Sequence, residues 1–255
     1  MKKIRITIIN GSYHQKGKTI GIANEFTSLL EKKLYKYTLV INRIELNNSK
    51  LETCRGCKNC FSNGICRLDK IDDMHKIKRI LCMSDVVIFS SPVYLKMITA
   101  SMKLILDRLA YWTHIFKLHN TLGIIVLSAA TSGINETNAY LMDILSHLGI
   151  SVIGTIYNDI YCEKNYTNFE IDRIATMIER IIKGKEEISN DLLERYFKSF
   201  QYVYKEFVKN NKYDAEINYW LQNDYLSKKT YLQLLEDNDG ENVDDEWWRK
   251  KKRDW

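Results

Sequence analysis

Proline is nearly absent: one residue, Pro92, in 255, against an average usage of about 5%. Its position therefore carries information. Also missing is any run approaching 18 consecutive apolar residues, which excludes a transmembrane helix as a reading of the sequence. The start, MKKIRITIINGS, places two lysines before a short apolar run but lacks the longer segment and small-residue cleavage site of a signal peptide. A cytoplasmic protein is expected. No basic stripe interleaved with aromatics occurs in residues 1–187, which argues against nucleic acid as the main ligand. There is no Ser-His-Asp order, no carboxylate pair and no HExxH, and His75, His114 and His119 lack metal spacing. No catalytic side chain is therefore named.

What is present is a globular composition, 45% hydrophobic and 27% charged, which excludes global disorder. The net charge is +6. Residues 188–255 hold 12 basic and 14 acidic residues, so the positive excess lies in the first 187 and suits a phosphorylated ligand.

Five β-rich runs punctuate that first part: 4–9 (IRITII), 38–46, 86–91 (VVIFSS), 123–129 and 151–157. They are apolar and β-branched, as strands buried on both faces are. Amphipathic stretches separate them. Ile22, Phe26, Leu29 and Leu30 share one helical face; Met102, Ile105, Leu106, Leu109 and Ala110 another; Leu141, Ile144, Leu145 and Leu148 a third, ending at Gly149. A helix from about Asp69 carries Met74, Ile77 and Leu81, and a closing helix carries Ile171, Ile174, Ala175, Ile178 and Ile182. The alternation predicts an α/β fold, a doubly wound five-stranded parallel sheet, over residues 1–185. Residues 186–236 read as a helical, aromatic-rich extension with Leu193, Phe197, Phe200, Tyr204 and Phe207 on one face. Residues 237–255 read as a charged tail with Trp247, Trp248 and Trp255. The aromatics need burial, on this chain or on a second subunit.

Three loops follow the carboxyl ends of strands, where ligands of open α/β sheets bind. The first, Gly11 to Thr19, supplies hydroxyls at Ser12 and Thr19, glycine freedom at Gly17, and a helix N-terminus beginning at Lys18. Gly17-Lys18-Thr19 resembles the end of a phosphate loop, but Ser12 stands where that motif needs glycine. His14 lies within it. The second loop has Pro92, Val93 and Tyr94; the third has Ser128, Ala130, Ser132 and Gly133. One loop suits a phosphate and two suit a planar ring, which together describe a mononucleotide such as FMN.

Four of six cysteines, Cys54, Cys57, Cys60 and Cys66, fall within thirteen residues as C-x2-C-x2-C-x5-C, in a segment, 52–68, that reads as loop. In a reducing compartment such a cluster means metal or redox chemistry more often than disulfides. A [4Fe–4S] cluster, zinc and redox-active thiols all remain open. Arg55, Lys58 and Arg67 would favour thiolates there. Cys82 and Cys162 stand alone and read as small core residues.

These motifs together (NGSYHQKGKT, CRGCKNCFSNGIC, DDM at 72–74, SSPVY at 90–94, and Lys103 followed by Asp107-Arg108) resemble the NADPH-dependent FMN reductases of the flavodoxin-like superfamily. The cysteines resemble those of its iron–sulfur flavoprotein branch. The resemblance covers about residues 1–185. It implies FMN with its phosphate on the loop from Ser12 to Thr19 and its ring between Pro92–Tyr94 and Ser128–Gly133. It implies NAD(P)H as co-substrate and a quinone, nitro or azo compound, or flavin as acceptor. It also implies a homodimer or homotetramer, with the flavin crevice completed by a neighbouring subunit. The alternative expectation is an electron carrier in which the four cysteines hold [4Fe–4S] and a ferredoxin-like partner donates electrons. Asp107-Arg108 is expected to form an ion pair within the chain or at a subunit interface.

Overall fold

The computed structural model describes residues 2–236 except 15, 163, 187, 189, 190 and 213; the tail 237–255, with Trp247, Trp248 and Trp255, lies outside the described residues. Strands β1 (Lys3–Asn10), β2 (Thr38–Glu45), β3 (Val86–Pro92), β4 (Thr121–Ser128) and β5 (Ile150–Asn158) form one sheet in the order β2-β1-β3-β4-β5. Every pairing is parallel. This is the flavodoxin-like order, whose direction reverses between β1 and β3 and opens a crevice at their carboxyl ends. Pro92 is the last residue of β3, opposite Ser128, rather than just beyond the sheet. A strand end tolerates the missing N–H.

Alternating side chains sort onto two cores. Ile4, Ile6 and Ile8 of β1 face α1 (Lys18–Lys33) and α7 (Lys164–Ile182), with Phe26, Leu30, Ile174 and Ile178 between them. Ile9, Val87, Phe89, Ile125 and Leu127 face the other way. That second face is covered by α3 (Met74–Cys82), α4 (Ala100–Arg108), α5 (Ala110–His114) and α6 (Ile134–His147). The single helix expected across residues 102–110 is thus two, α4 and α5, meeting at Leu109. The helix expected from Asp69 begins at Met74, after a 3-10 turn at Arg67–Lys70.

The segment 52–68 is not loop throughout. It contains a short helix, α2 (Asn59–Asn63), entered at Lys58 and left at Gly64, both in the left-handed region. No residue of α2 is buried, so hydrophobic periodicity could not announce it.

After α7 come α8 (Asp191–Lys209), α9 (Ala215–Gln222) and α10 (Tyr231–Glu236). Their aromatic faces join the second core. Trp220 is fully buried, stacked on Phe197 at 5.2 Å and edge-on to Tyr204 at 5.1 Å and Tyr225 at 5.4 Å. Ring pairs of this kind add about 0.5–1.5 kcal/mol each beyond area burial. The Trp220 indole N–H donates to the His114 carbonyl at 2.8 Å, so its one polar group is satisfied. No helix among the described residues is long and apolar enough to cross a membrane.

Candidate functional site

At the carboxyl edge of the sheet, Asn10 ends β1 and ties it down on both sides. Its amide donates to Glu45 at 2.6 Å and accepts the Ser12 N–H at 3.1 Å. The buried Ser12 hydroxyl accepts the His14 N–H at 3.1 Å, and Gly17 N–H donates to the His14 carbonyl at 3.1 Å. These bonds curl the loop and start α1 at Lys18. Gly17 occupies the N-cap position, no side chain caps the helix, and its first turn holds no acidic residue. Free N–H groups and the positive dipole end face the crevice. His14 and Lys18 are exposed.

The first loop is joined to the third through Thr19, whose hydroxyl lies 2.5 Å from that of Ser128. The second joins the third through the Val93 N–H, which donates to the Ser128 carbonyl at 2.7 Å. Tyr94 and Met97 then exchange backbone hydrogen bonds around a tight turn at Leu95 and Lys96. Gly133 closes the third loop at φ +96°, packed against that turn. The Thr137 hydroxyl donates to the Lys96 carbonyl at 3.2 Å, and Lys96 pairs with Glu136 at 3.3 Å. Thr99 caps α4, and Ser101 donates to the Gly11 carbonyl at 3.3 Å. So the structure gathers Ser12, Thr19, Ser128 and Gly133 with Pro92, Val93 and Tyr94 around one crevice. Ala130 and Ser132 lie on its exposed rim.

Asn10 opens the NGSYHQKGKT motif, but the sequence does not single out Thr99, Ser101 or Lys96, which help hold these loops together. Gly11 is small because α4 packs on it: a β-carbon there would meet Thr99 Oγ1 at 2.8 Å and Met102 Cβ at 3.2 Å. Ser90, paired with Asn10, has a buried hydroxyl with no hydrogen-bond partner among the described residues. An uncapped helix start, two hydroxyls and an orphaned buried hydroxyl fit a mononucleotide phosphate.

Leu95 (φ +49°) and Lys96 (φ +63°) both occupy the left-handed region, at about 1–2 kcal/mol each for ordinary residues. Leu95, at 99% exposure, gains no packing in return. Lys96→Gly should therefore stabilise the protein, by up to about 1 kcal/mol in urea unfolding after the extra chain entropy of glycine is deducted. A loss of more than that amount would show that the Glu136 pair outweighs the backbone strain.

The cysteine segment lies along α4 and α5. Cys54 and Cys57 are exposed, Cys60 and Cys66 partly buried. Burial pushes the Cys60 thiol up, and the nearby Cys66 adds to it. Among the described residues no three Cys, His, Asp or Glu side chains come together as a metal-binding group. In this arrangement the four thiols do not form a ligand set. Cys82 is buried as expected. Cys162 is only partly buried, its Sγ 3.7 Å from the Tyr157 carbonyl.

Both ends of the segment are closed by Arg108, whose side chain is fully buried. Nη1 donates to the Glu52 carbonyl at 2.8 Å and to Asp72; Nη2 donates to Asp69 at 2.7 Å. Lys78 completes a balanced set of four charges, 2.7 Å from Asp69. The ion pair expected of Asp107-Arg108 is thus two separate intramolecular ones, since Asp107 pairs with Lys103.

The family model described as NADPH-dependent FMN reductase matches residues 4–160. Among curated relatives, an iron-sulfur flavoprotein of Archaeoglobus fulgidus is 31% identical over 135 residues, 52% of this chain and 60% of the relative. The chain thus matches about 60% of that relative's length. Among solved structures, RosB with a bound 8-demethyl-8-formylriboflavin-5'-phosphate superposes with a TM-score of 0.58 at 14% identity, over 80% of this chain and 87% of that one. An FMN-dependent NADH-azoreductase from Bacillus anthracis str. Ames Ancestor, in complex with FMN, gives 0.53 at 13% identity, over 70% and 100%. At such identities these two establish the fold.

Proposed function

The chain belongs to the NADPH-dependent FMN reductase family, and from that premise we propose that it is an FMN-dependent NAD(P)H oxidoreductase. Residues 1–185 are the FMN-binding unit, 186–236 a helical extension. The observation that carries the reading is the uncapped start of α1, tied through Thr19 and Ser128 to two further loops at the switch point of the sheet. Ser12, Thr19 and the N–H groups of Gly17, Lys18 and Thr19 hold the phosphate, with the Lys18 ammonium beside it. Pro92, Val93 and Tyr94 flank one side of the ring; Ser128, Ala130, Ser132 and Gly133 line the other. Bound there, FMN supplies hydride acceptance from the nicotinamide and delivery of electrons to an acceptor: a quinone, a nitro or azo compound, or free flavin. The side chains bind, orient and shield; none is required to move a proton. The exposed rim at Tyr13, Tyr94 and Leu95 suits completion by a second copy, so the working form is a homodimer or homotetramer in the cytoplasm.

Ser12→Ala and Thr19→Ala each remove one hydroxyl from a charged phosphate, a loss of about 1.5–3 kcal/mol. FMN affinity, measured by fluorescence titration, should fall by about ten- to a hundredfold in each. Undiminished affinity in both would remove the first loop from the site.

The cysteine spacing carries a second reading, a [4Fe–4S] electron carrier fed by a ferredoxin-like partner, which requires the four thiols to close from the arrangement described into one ligand set. The spacing of Cys54, Cys57, Cys60 and Cys66 favours it, as does the name of the Archaeoglobus relative. About four iron and four sulfide per chain in anaerobically prepared protein would support it; FMN without iron would leave the flavin reductase alone.

A further inference from the structure

We propose that Glu45 is a positioning residue that makes the crevice select FMN over riboflavin, acting on the first loop through Asn10. The inference rests on the FMN reading of that loop. Glu45 belongs to none of the three crevice loops; it is the last residue of β2.

Five residues form a line of hydrogen bonds from β2 to the start of α1. The Asn10 side-chain N–H donates to Glu45 Oε2 at 2.6 Å, and Asn10 Oδ1 accepts the Ser12 N–H at 3.1 Å. Ser12 Oγ accepts the His14 N–H at 3.1 Å. The His14 carbonyl accepts the Gly17 N–H at 3.1 Å, and Gly17 is the N-cap of α1. A turn of the Asn10 amide therefore moves Ser12 and, through His14, the helix start that the phosphate meets.

Glu45 is what stops that turn. Asn10 is fully buried, so water is poorly placed to replace the carboxylate as acceptor. Parallel register sets the two residues side by side. The Glu45 backbone is itself held: its carbonyl accepts the Ser49 hydroxyl at 3.0 Å, and the next residue, Leu46, is seated in the second core. A charged acceptor makes the stronger hydrogen bond. The first loop is thus ordered in advance, and binding loses less entropy. None of these bonds involves residues 92–94 or 128–133. Riboflavin carries the same ring without the phosphate, so an effect confined to the first loop should separate the two flavins.

The test titrates the full-length protein, freed of flavin, with FMN and with riboflavin by calorimetry. Glu45→Ala removes the acceptor. Glu45→Asp keeps the charge but draws it back by one methylene. Glu45→Gln keeps the reach and an acceptor oxygen without the charge. FMN affinity should fall by about tenfold in the Ala and Asp variants, the size of one lost hydrogen bond to a charged group. It should stay within about threefold of the parent in the Gln variant, whose neutral acceptor restores the bond. Riboflavin affinity should be unchanged in all three, which also shows that the crevice is folded; if the Ala variant does not fold, the Asp and Gln variants carry the contrast. A parallel fall for both flavins, a Gln variant as weak as the Asp variant, or an unchanged FMN-to-riboflavin ratio in the Asp variant would each overturn the role of Glu45. A parent that binds FMN no more tightly than riboflavin would instead remove the phosphate reading of the first loop, and the inference with it.

Discussion

Gly133→Ala is expected to lower FMN affinity by about a hundredfold. Two costs combine. At φ +96° an L side chain pays about 1–2 kcal/mol in backbone strain. The added β-carbon would lie 2.7 Å from Lys96 Cα and 2.8 Å from Val93 Cγ1, and backbone cannot swing aside as a side-chain tip can. Overpacking of that kind costs about 1–3 kcal/mol. The cheapest relief is to push the Val93–Met97 turn away from the third loop, which opens the side of the crevice proposed to hold the ring. Equilibrium dialysis of FMN measures the effect. Gly21→Ala is the matched control: it lies in α1, a β-carbon there meets nothing within 4 Å, and alanine favours a helix by about 0.5–1 kcal/mol. It should keep FMN and raise Tm. If the Gly133 variant binds FMN as tightly as the parent, the second and third loops do not form the ring site.

Arg108→Ala should be the most destabilising single change at the cysteine segment, by about 3–5 kcal/mol in urea unfolding. It strands two carboxylates: Asp72, with a side chain 2% exposed, and Asp69, which keeps only Lys78. Burial works against the charge on Asp72. The hydrogen bond from Arg108 and the N–H groups of Glu52 and Met74 overcome that and hold its carboxyl below the usual range. A carboxyl lowered on folding contributes stability above its unfolded pKa of about 4, and the contribution is lost as pH falls through the folded value. Without Arg108, burial dominates and protonation of Asp72 becomes tolerable. The gap between parent and variant should therefore be widest near neutral pH and narrow below about pH 4. A gap that is constant with pH would mean that Arg108 acts by packing alone.

Much of the fold was legible because its signals are local. Ile4, Ile6 and Ile8 against Ile9, or Val86 and Ile88 against Val87 and Phe89, sort by the two-residue period of a strand. Gly149, at positive φ, ends α6 where the sequence placed the stop, and Gly184 does the same for α7. The placement of the three loops was legible because glycine, serine and proline follow β1, β3 and β4 at the carboxyl edge of the sheet. What was hidden depends on partners far apart in the chain. Arg108 meets Asp72 across 36 residues and Asp69 across 39, and no local pattern encodes that. Helix α2 buries nothing of its own; its Phe61 meets α5, and Gly64 approaches Tyr111 and Ala215. The left-handed turn at Leu95 and Lys96 was invisible because neither residue advertises positive φ.

We propose above all that this crevice holds FMN that accepts electrons from a reduced nicotinamide. Anaerobic mixing of the FMN-loaded protein with one equivalent of NADPH, and separately NADH, tests it most directly. The visible absorbance of the bound flavin is expected to bleach within the mixing experiment and to return when a quinone or nitroaromatic acceptor is added. Stoichiometric FMN that stays oxidised with both nicotinamides, or purified protein with no affinity for FMN, would contradict it.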